Sequence, residues 1–328
     1  MRINVSIFIM AALAAAAIGC NKASAPEPPF DPVVRVAPEV TPQTRGSYTT
    51  ENLNEFDLFI HSENSRYSYT NTKFTKNATS GEWEPARQML WAGKNVKFAF
   101  LAIAPSLKTS GHSLSSDPIC EFTVEYEQTK ESNASDLLWA GCRSISPTQS
   151  DAPSYFTTDG VMKFEFDHAL TLLRVKLTLG TEFNHNGVPT VCPVSDVRID
   201  GFPRKVRLTP LENDNMPKLE ADGDKGTIQA YESKWERAVD ENGKDDVTKN
   251  CMVTYECIVV PDRLDSFTVN FICNGKPYTY TATGSFPFMS GNSYTLPLTV
   301  GKDEVIMSKD GITASPWVDG GSEDIETD

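Results

Sequence analysis

The sequence predicts an all-β protein. Apolar and polar residues alternate over many short stretches, turn residues separate those stretches, and no long stretch shows the 3.6-residue apolar period of a helix. Strands at this spacing suggest β-sandwiches. A body of about 300 residues exceeds what one hydrophobic core usually serves, so two domains are expected.

The chain begins with an export signal. Arg2 is a minimal charged region, and residues 7–18 (IFIMAALAAAAI) form an apolar run. That run is shorter than the roughly 20 residues a bilayer crossing requires. It ends in Ala17-Ile18-Gly19-Cys20, which resembles the lipobox of bacterial lipoproteins, where the cysteine thiol accepts a diacylglyceryl group. Residues 1–19 are read as a signal peptide and Cys20 as the lipidation site. Several acyl chains on one cysteine exceed the roughly two signals needed for stable anchoring, so a membrane-tethered, exported lipoprotein is expected. No later apolar run approaches membrane length.

Residues 21–45 carry Pro26, Pro28, Pro29, Pro32, Pro38 and Pro42, a density that prevents helix and favours an extended spacer. Within it, FDPVVRVAP (30–38) alone has strand character, and its prolines predict few ladder bonds and a place at a sheet edge. Past Gly46 the strand candidates follow in order. Phe56, Leu58 and Ile60 alternate, as do Val96, Phe98, Phe100 and Ala102; then come ICEFTVEY (119–126), CMVTYECIVV (251–260), FTVNFIC (267–273), PYTYTATG (277–284) and YTLPLTVG (294–301).

Residues 161–180, VMKFEFDHALTLLRVKLTLG, change phase. The apolar face begins on Phe164, Phe166 and Leu170 and finishes on Val175, Leu177 and Leu179. A period of two cannot do this without an extra residue, so a bulge or break is expected near 170–173. His168 falls on the first apolar face and is read as a buried, hydrogen-bonded structural histidine.

Composition excludes some functions. Removing residues 1–19 deletes one basic and no acidic residue, taking the net charge from −14 to −15. A chain this acidic cannot neutralise phosphates, so no nucleic acid partner is expected. With Cys20 assigned to lipid, Cys120, Cys142, Cys192, Cys251, Cys257 and Cys273 remain, an even set that in an exported protein suggests disulfides. Cys120 and Cys142 flank a candidate hairpin and are the first pair to consider. Cys251 and Cys257 would lie on one face of an unbroken strand about 20 Å apart, beyond disulfide reach. No CxxC, HExxH or GxSxG occurs, and His61, His112, His168 and His185 are scattered, so neither an enzyme nor a cofactor or metal is expected. ADGDKG (221–226) has calcium-loop spacing, but Ser233 stands where the EF-hand needs a carboxylate, and a solvated turn is expected instead.

FEFDHALTLLRVKLTL resembles the F-x-F-x-H-A-L-x-x-V signature of the fimbrillin family, the lipoprotein pilins of type V pili in Gram-negative Bacteroidota. WAGKNVKFAFLAIAP resembles that family's strand ending in F-x-A-Y-x-P, with Ile103 where an aromatic is common. GNSYTLPLTVGKDEV is similar to its G-x-x-Y-x-x-x-L-x-V-G strand, and ITASPWVDGG to its C-terminal tryptophan segment. With the lipobox and Thr44-Arg45-Gly46, the matches run in family order across nearly the whole chain.

The resemblance implies two transthyretin-like β-sandwich domains in tandem, 46–183 and 184–328, after the signal peptide and a lipidated leader, 20–45. It also implies that an arginine-specific protease cuts after Arg45, that the strand VVRVAP leaves a groove, and that a segment like DEVIMSKDGITASPWV (303–318) of another subunit fills it. Main-chain pairing at an emptied strand edge would supply the affinity. Arg45 is otherwise an ordinary linker arginine, and Arg35 is a poorer site because it lies inside the candidate strand. The implied role is a shaft, tip or anchor subunit of a fimbria serving adhesion. Its partners would be other fimbrial subunits, the outer membrane through the lipid, and host or bacterial surface ligands. The acidic run that often follows the lipidated cysteine in the family is absent from CNKASAPEP (20–28). The rival reading is a surface glycan-binding lipoprotein stacking sugars on Trp83, Trp91, Trp139, Trp235 or Trp317; two or more coplanar exposed tryptophans would favour it.

Overall fold

The computed structural model describes residues 30–40, 48–107, 111–147, 155–209 and 217–317. Cys20, Arg45 and the TPQTR stretch lie outside the described residues. Residues 1–31 and 32–328 separate as two units, and everything below concerns the second.

Its first half contributes β1 (Arg35–Val40), β2 (Glu55–Ser62), β3 (Tyr69–Lys76), β4 (Trp83–Pro85), β5 (Phe98–Ala104), β6 (Cys120–Thr123), β7 (Leu138–Ile145) and β8 (Val161–His168). All but β6 form one seven-stranded sheet in the order β1-β8-β7-β5-β2-β3-β4. The sheet curls until its two ends meet: Val33 bridges Leu90, which lies just past β4. The curl encloses a phenylalanine-rich core in which Phe56 stacks on Phe74 at 5.2 Å and meets the edges of Phe164 and Phe166.

The second half contributes β9 (Thr171–Leu179), β10 (Val194–Thr209), β11 (Lys218–Gln229), β12 (Tyr231–Glu236), β13 (Cys251–Val259), β14 (Arg263–Cys273), β15 (Lys276–Pro287), β16 (Asn292–Val300), β17 (Val305–Met307) and β18 (Thr313–Pro316). One sheet runs β11-β10-β14-β15, with β6 also on β10; the other runs β12-β13-β9-β16-β17, with β18 also on β16. Their apolar faces share a second core, which Phe59, Leu101 and Ile103 join from the outer face of the curled sheet. Strands β2 and β5 are therefore buried on both faces, Phe56 and Phe100 in one core, Phe59 and Leu101 in the other. The chain is all-β, as the sequence predicts.

The phase change expected near 170–173 is a break. β8 ends at His168, Ala169-Leu170 cross over, and β9 joins the β13/β16 sheet. Each strand keeps its own alternation because each faces a different core. The change of sheet thus lies before Phe183, where the sequence reading divides the chain.

Two expectations are corrected. ADGDKG is not a solvated turn but part of the long strand β11, where Gly223 takes a φ of 86° beside a register shift opposite Lys205. The strand absorbs its turn-like residues because β10 pairs along nearly its whole length. The expected disulfides are not seen: no disulfide bond joins any of the six described cysteines. Cys120 sits on β6, paired to β10, whereas Cys142 sits on β7 of the curled sheet. Cys251 and Cys257 do share one unbroken strand, opposite Leu179 and Leu173.

Candidate functional site

Val34, Val36, Pro38 and Val40 point inward while Arg35 and Glu39 face out, so the N-terminal strand covers the first core with every second residue. It begins later than the expected segment 30–38 and runs two residues further, through Pro38 to Val40. One wall of its slot is β8, paired in parallel from Arg35↔Val161 to Val40↔Phe166. A proline is tolerated there because its missing N–H faces away from the single long ladder. The other wall is Met89–Trp91. Val34 N–H donates to the Met89 carbonyl at 3.0 Å, and Trp91 N–H to the Pro32 carbonyl at 2.7 Å. This wall is braced by the Tyr69 hydroxyl, which accepts from Leu90 N–H and donates to the Leu90 carbonyl. Each fully buried valine contributes about 1.5–3 kcal/mol of transfer free energy. The strand is an integral part of the first core.

The C-terminal segment is held differently. β17 pairs with Leu298–Val300, and β18 with Asn292–Thr295, so main-chain bonds fix both to β16. Their side chains are largely exposed; Ile306 is 52% and Met307 39% accessible. Trp317 is the exception at 3%. Its backbone N–H donates to the Gly291 carbonyl at 2.8 Å, and its ring stacks on His168 at 4.3 Å.

His168 stands where the chain leaves one sheet for the next. Its Nδ1 lies 2.7 Å from Asp136 Oδ1, and with a carboxylate accepting, Nδ1 carries the proton. Asp136 Oδ2 accepts the Tyr48 N–H at 2.8 Å. Both side chains are essentially inaccessible, and His168 Nε2 has no partner among the described residues. The reading of His168 as a buried, hydrogen-bonded residue holds; Asp136 was not found from sequence, because nothing in NASDLLW marks it as the partner. Burial, with Asp136 nearby, pushes the Tyr48 hydroxyl up to about 12. The crossing is pinned by Ala169 N–H to the Leu137 carbonyl, Gly291 N–H to the Leu170 carbonyl, and Ser290 Oγ to the Ala169 carbonyl.

Trp91 and Trp317 are buried, and Trp83, Trp139 and Trp235 pack against the two cores, so the described residues offer no platform of exposed coplanar tryptophans. No group of three or more His, Cys, Asp or Glu side chains among the described residues is arranged to hold a metal, and no described helix is long and apolar enough to cross a membrane.

A family model described as fimbrillin-like matches residues 43–317. Among solved structures, a candidate cell adhesion protein from Bacteroides ovatus aligns with a TM-score of 0.58 at 11% identity, over 89% of this chain and 99% of its own. A second, from Bacteroides uniformis, aligns at 0.54 and 16% identity, over 89% of this chain and 100% of its own. At these identities the likeness is one of fold. No curated protein matches the chain.

Proposed function

We propose, since this chain belongs to the fimbrillin-like family, that it is a structural subunit of a type V-like fimbria serving cell adhesion. In this reading it is exported as a lipoprotein tethered to the outer membrane through Cys20. It is then cut after Arg45, relieved of its N-terminal strand, and joined to other fimbrial subunits by strand addition. Residues 20–45 are the leader. The body forms two sandwich domains, 46–183 and 184–328, with β9 lent by the first to a sheet of the second. Residues 303–318 are the donor.

The observation that carries this reading is the seating of residues 33–40. A strand from the leader fills an apolar slot between β8 and Met89–Trp91, and its removal would expose unpaired main chain beside a phenylalanine core. The C-terminal segment supports it too, being bound mainly through its backbone with exposed side chains.

Arg-specific digestion of the folded mature protein should cut first after Arg45. The trimmed protein should then associate on size-exclusion chromatography or take up a peptide spanning 303–318. Loss of residues 20–45 removes three basic and three acidic residues, so association would not be a charge effect. Arg45→Ala should stay monomeric under the same protease. A trimmed protein that remains monomeric and ignores the peptide would reduce the leader to a spacer. Cys20→Ser should move the protein from membranes to soluble fractions, and unchanged detergent partitioning would remove the lipid anchor from the reading.

A further inference from the structure

The N-terminal strand and the C-terminal segment lie on different sheets, yet a run of contacts joins them. Val40 N–H donates to Thr50 Oγ1 at 2.9 Å, and that hydroxyl returns a bond to the Val40 carbonyl at 3.4 Å. The turn that holds Thr50 is fixed by Leu53 N–H to the Thr49 carbonyl and by Thr49 N–H to Asn52 Oδ1. From the same turn, Tyr48 N–H reaches Asp136 Oδ2 at 2.8 Å. Asp136 Oδ1 takes the His168 Nδ1 proton at 2.7 Å, and the His168 ring carries Trp317 on its face at 4.3 Å.

We infer that Tyr48, Asp136 and His168 couple the two ends of the chain, so that residues 33–40 in their slot and Trp317 in its seat stabilise one another. The physical basis is the scarcity of alternatives at the middle of the run. Asp136 is buried and has one oxygen on each neighbour, so losing the Tyr48 donor leaves half of a buried carboxylate unpaired. The carboxylate then reorients toward its remaining donor. His168 follows, because its Nε2 has no partner among the described residues to hold the ring. The stacking surface under Trp317 shifts with it. The coupling itself stands apart from the proposed function; its use in assembly, loosening a subunit's own C-terminal segment once its slot is emptied, rests on that reading.

Linkage is reciprocal, which makes the coupling testable from both ends. Hydrogen exchange read by mass spectrometry on the full mature chain supplies the probe. Tyr48→Pro deletes the donor N–H, while Tyr48→Ala keeps it and controls for the lost ring. Tyr48→Pro, and not Tyr48→Ala, should speed exchange in residues 313–317 about tenfold, within the usual range of coupling between sites. Trp317→Ala should speed exchange over residues 48–53 by a similar factor. In an Asp136→Leu background, which has no acceptor for either neighbour, Tyr48→Pro should add nothing at residues 313–317. Unchanged protection in β3 shows that the fold is intact, and should Tyr48→Pro not fold, the Trp317→Ala arm decides. Exchange that rises at the altered end alone overturns the coupling. Self-association after digestion without transmitted exchange would refute the coupling and leave the assembly reading standing; transmitted exchange without association would do the reverse.

Discussion

Replacing Asp136 with alanine would strip a buried histidine and a buried amide of their common acceptor. Breaking a buried pair from one side costs about 3–5 kcal/mol, so Asp136→Ala should lower the urea midpoint sharply. Asp136→Leu with His168→Phe removes both polar partners and should recover much of that loss; a double variant as weak as Asp136→Ala would show that the Tyr48 bond, not the pair, dominates. Phe56→Ala and Phe59→Ala should each cost about 3–5 kcal/mol although they are near neighbours on one strand, because they open cavities in separate cores. Their losses should add. At this scale the sequence was half legible. His168 could be placed because it keeps the alternation of FEFDH. Asp136 could not, because its partner stands 32 residues away and no local pattern points across that distance.

The C-terminal segment divides into a loosely held part and an anchor. Ile306→Ala touches a half-exposed side chain on a three-residue strand and should change stability by no more than about 0.5 kcal/mol. Trp317→Ala vacates a buried seat and should cost about 3–5 kcal/mol of local stability, read as faster tryptic cleavage after Lys309. Equal effects from both variants would deny the division. Most elements were readable from alternation, including the β14–β15 hairpin, whose Asn274-Gly275 turn takes positive φ at both positions. The break after His168 was readable as well. Its meaning as a passage between sheets was not, since phase reports which face is buried and not against which sheet. β11 was hidden because Asp222, Gly223 and Asp224 have turn chemistry, and only pairing with β10 overrides it.

Across the whole molecule the thiols set a pH limit. Burial raises Cys120 and Cys273 to about 12 and Cys192 to about 11, and it raises Cys257 as well. Unfolded, these groups titrate near 9. A raised folded-state pKa gives stability that is complete below pH about 9 and is lost as the pH climbs toward the folded values. The denaturation midpoint should therefore hold between pH 7 and 8 and fall between about 9 and 11. Thiol reagent at pH 8 should label Cys120, Cys192, Cys257 and Cys273 slowly in the native protein and fully in the unfolded one, as read by peptide mapping, because the thiolate is the reactive form. Rapid native labelling at these four positions would contradict their burial. The even cysteine count that suggested disulfides reflects core packing, which composition alone does not distinguish from cross-linking. The slot around residues 33–40 has a consequence of direction. Its strand runs parallel to β8 and antiparallel to the short wall at Leu90. A guest of opposite polarity would lie antiparallel to β8, the better ladder per residue, along the longer wall. In the proposed assembly the resident strand would thus be the weaker of two ways to close the same gap, and an incoming strand of that polarity would replace it downhill.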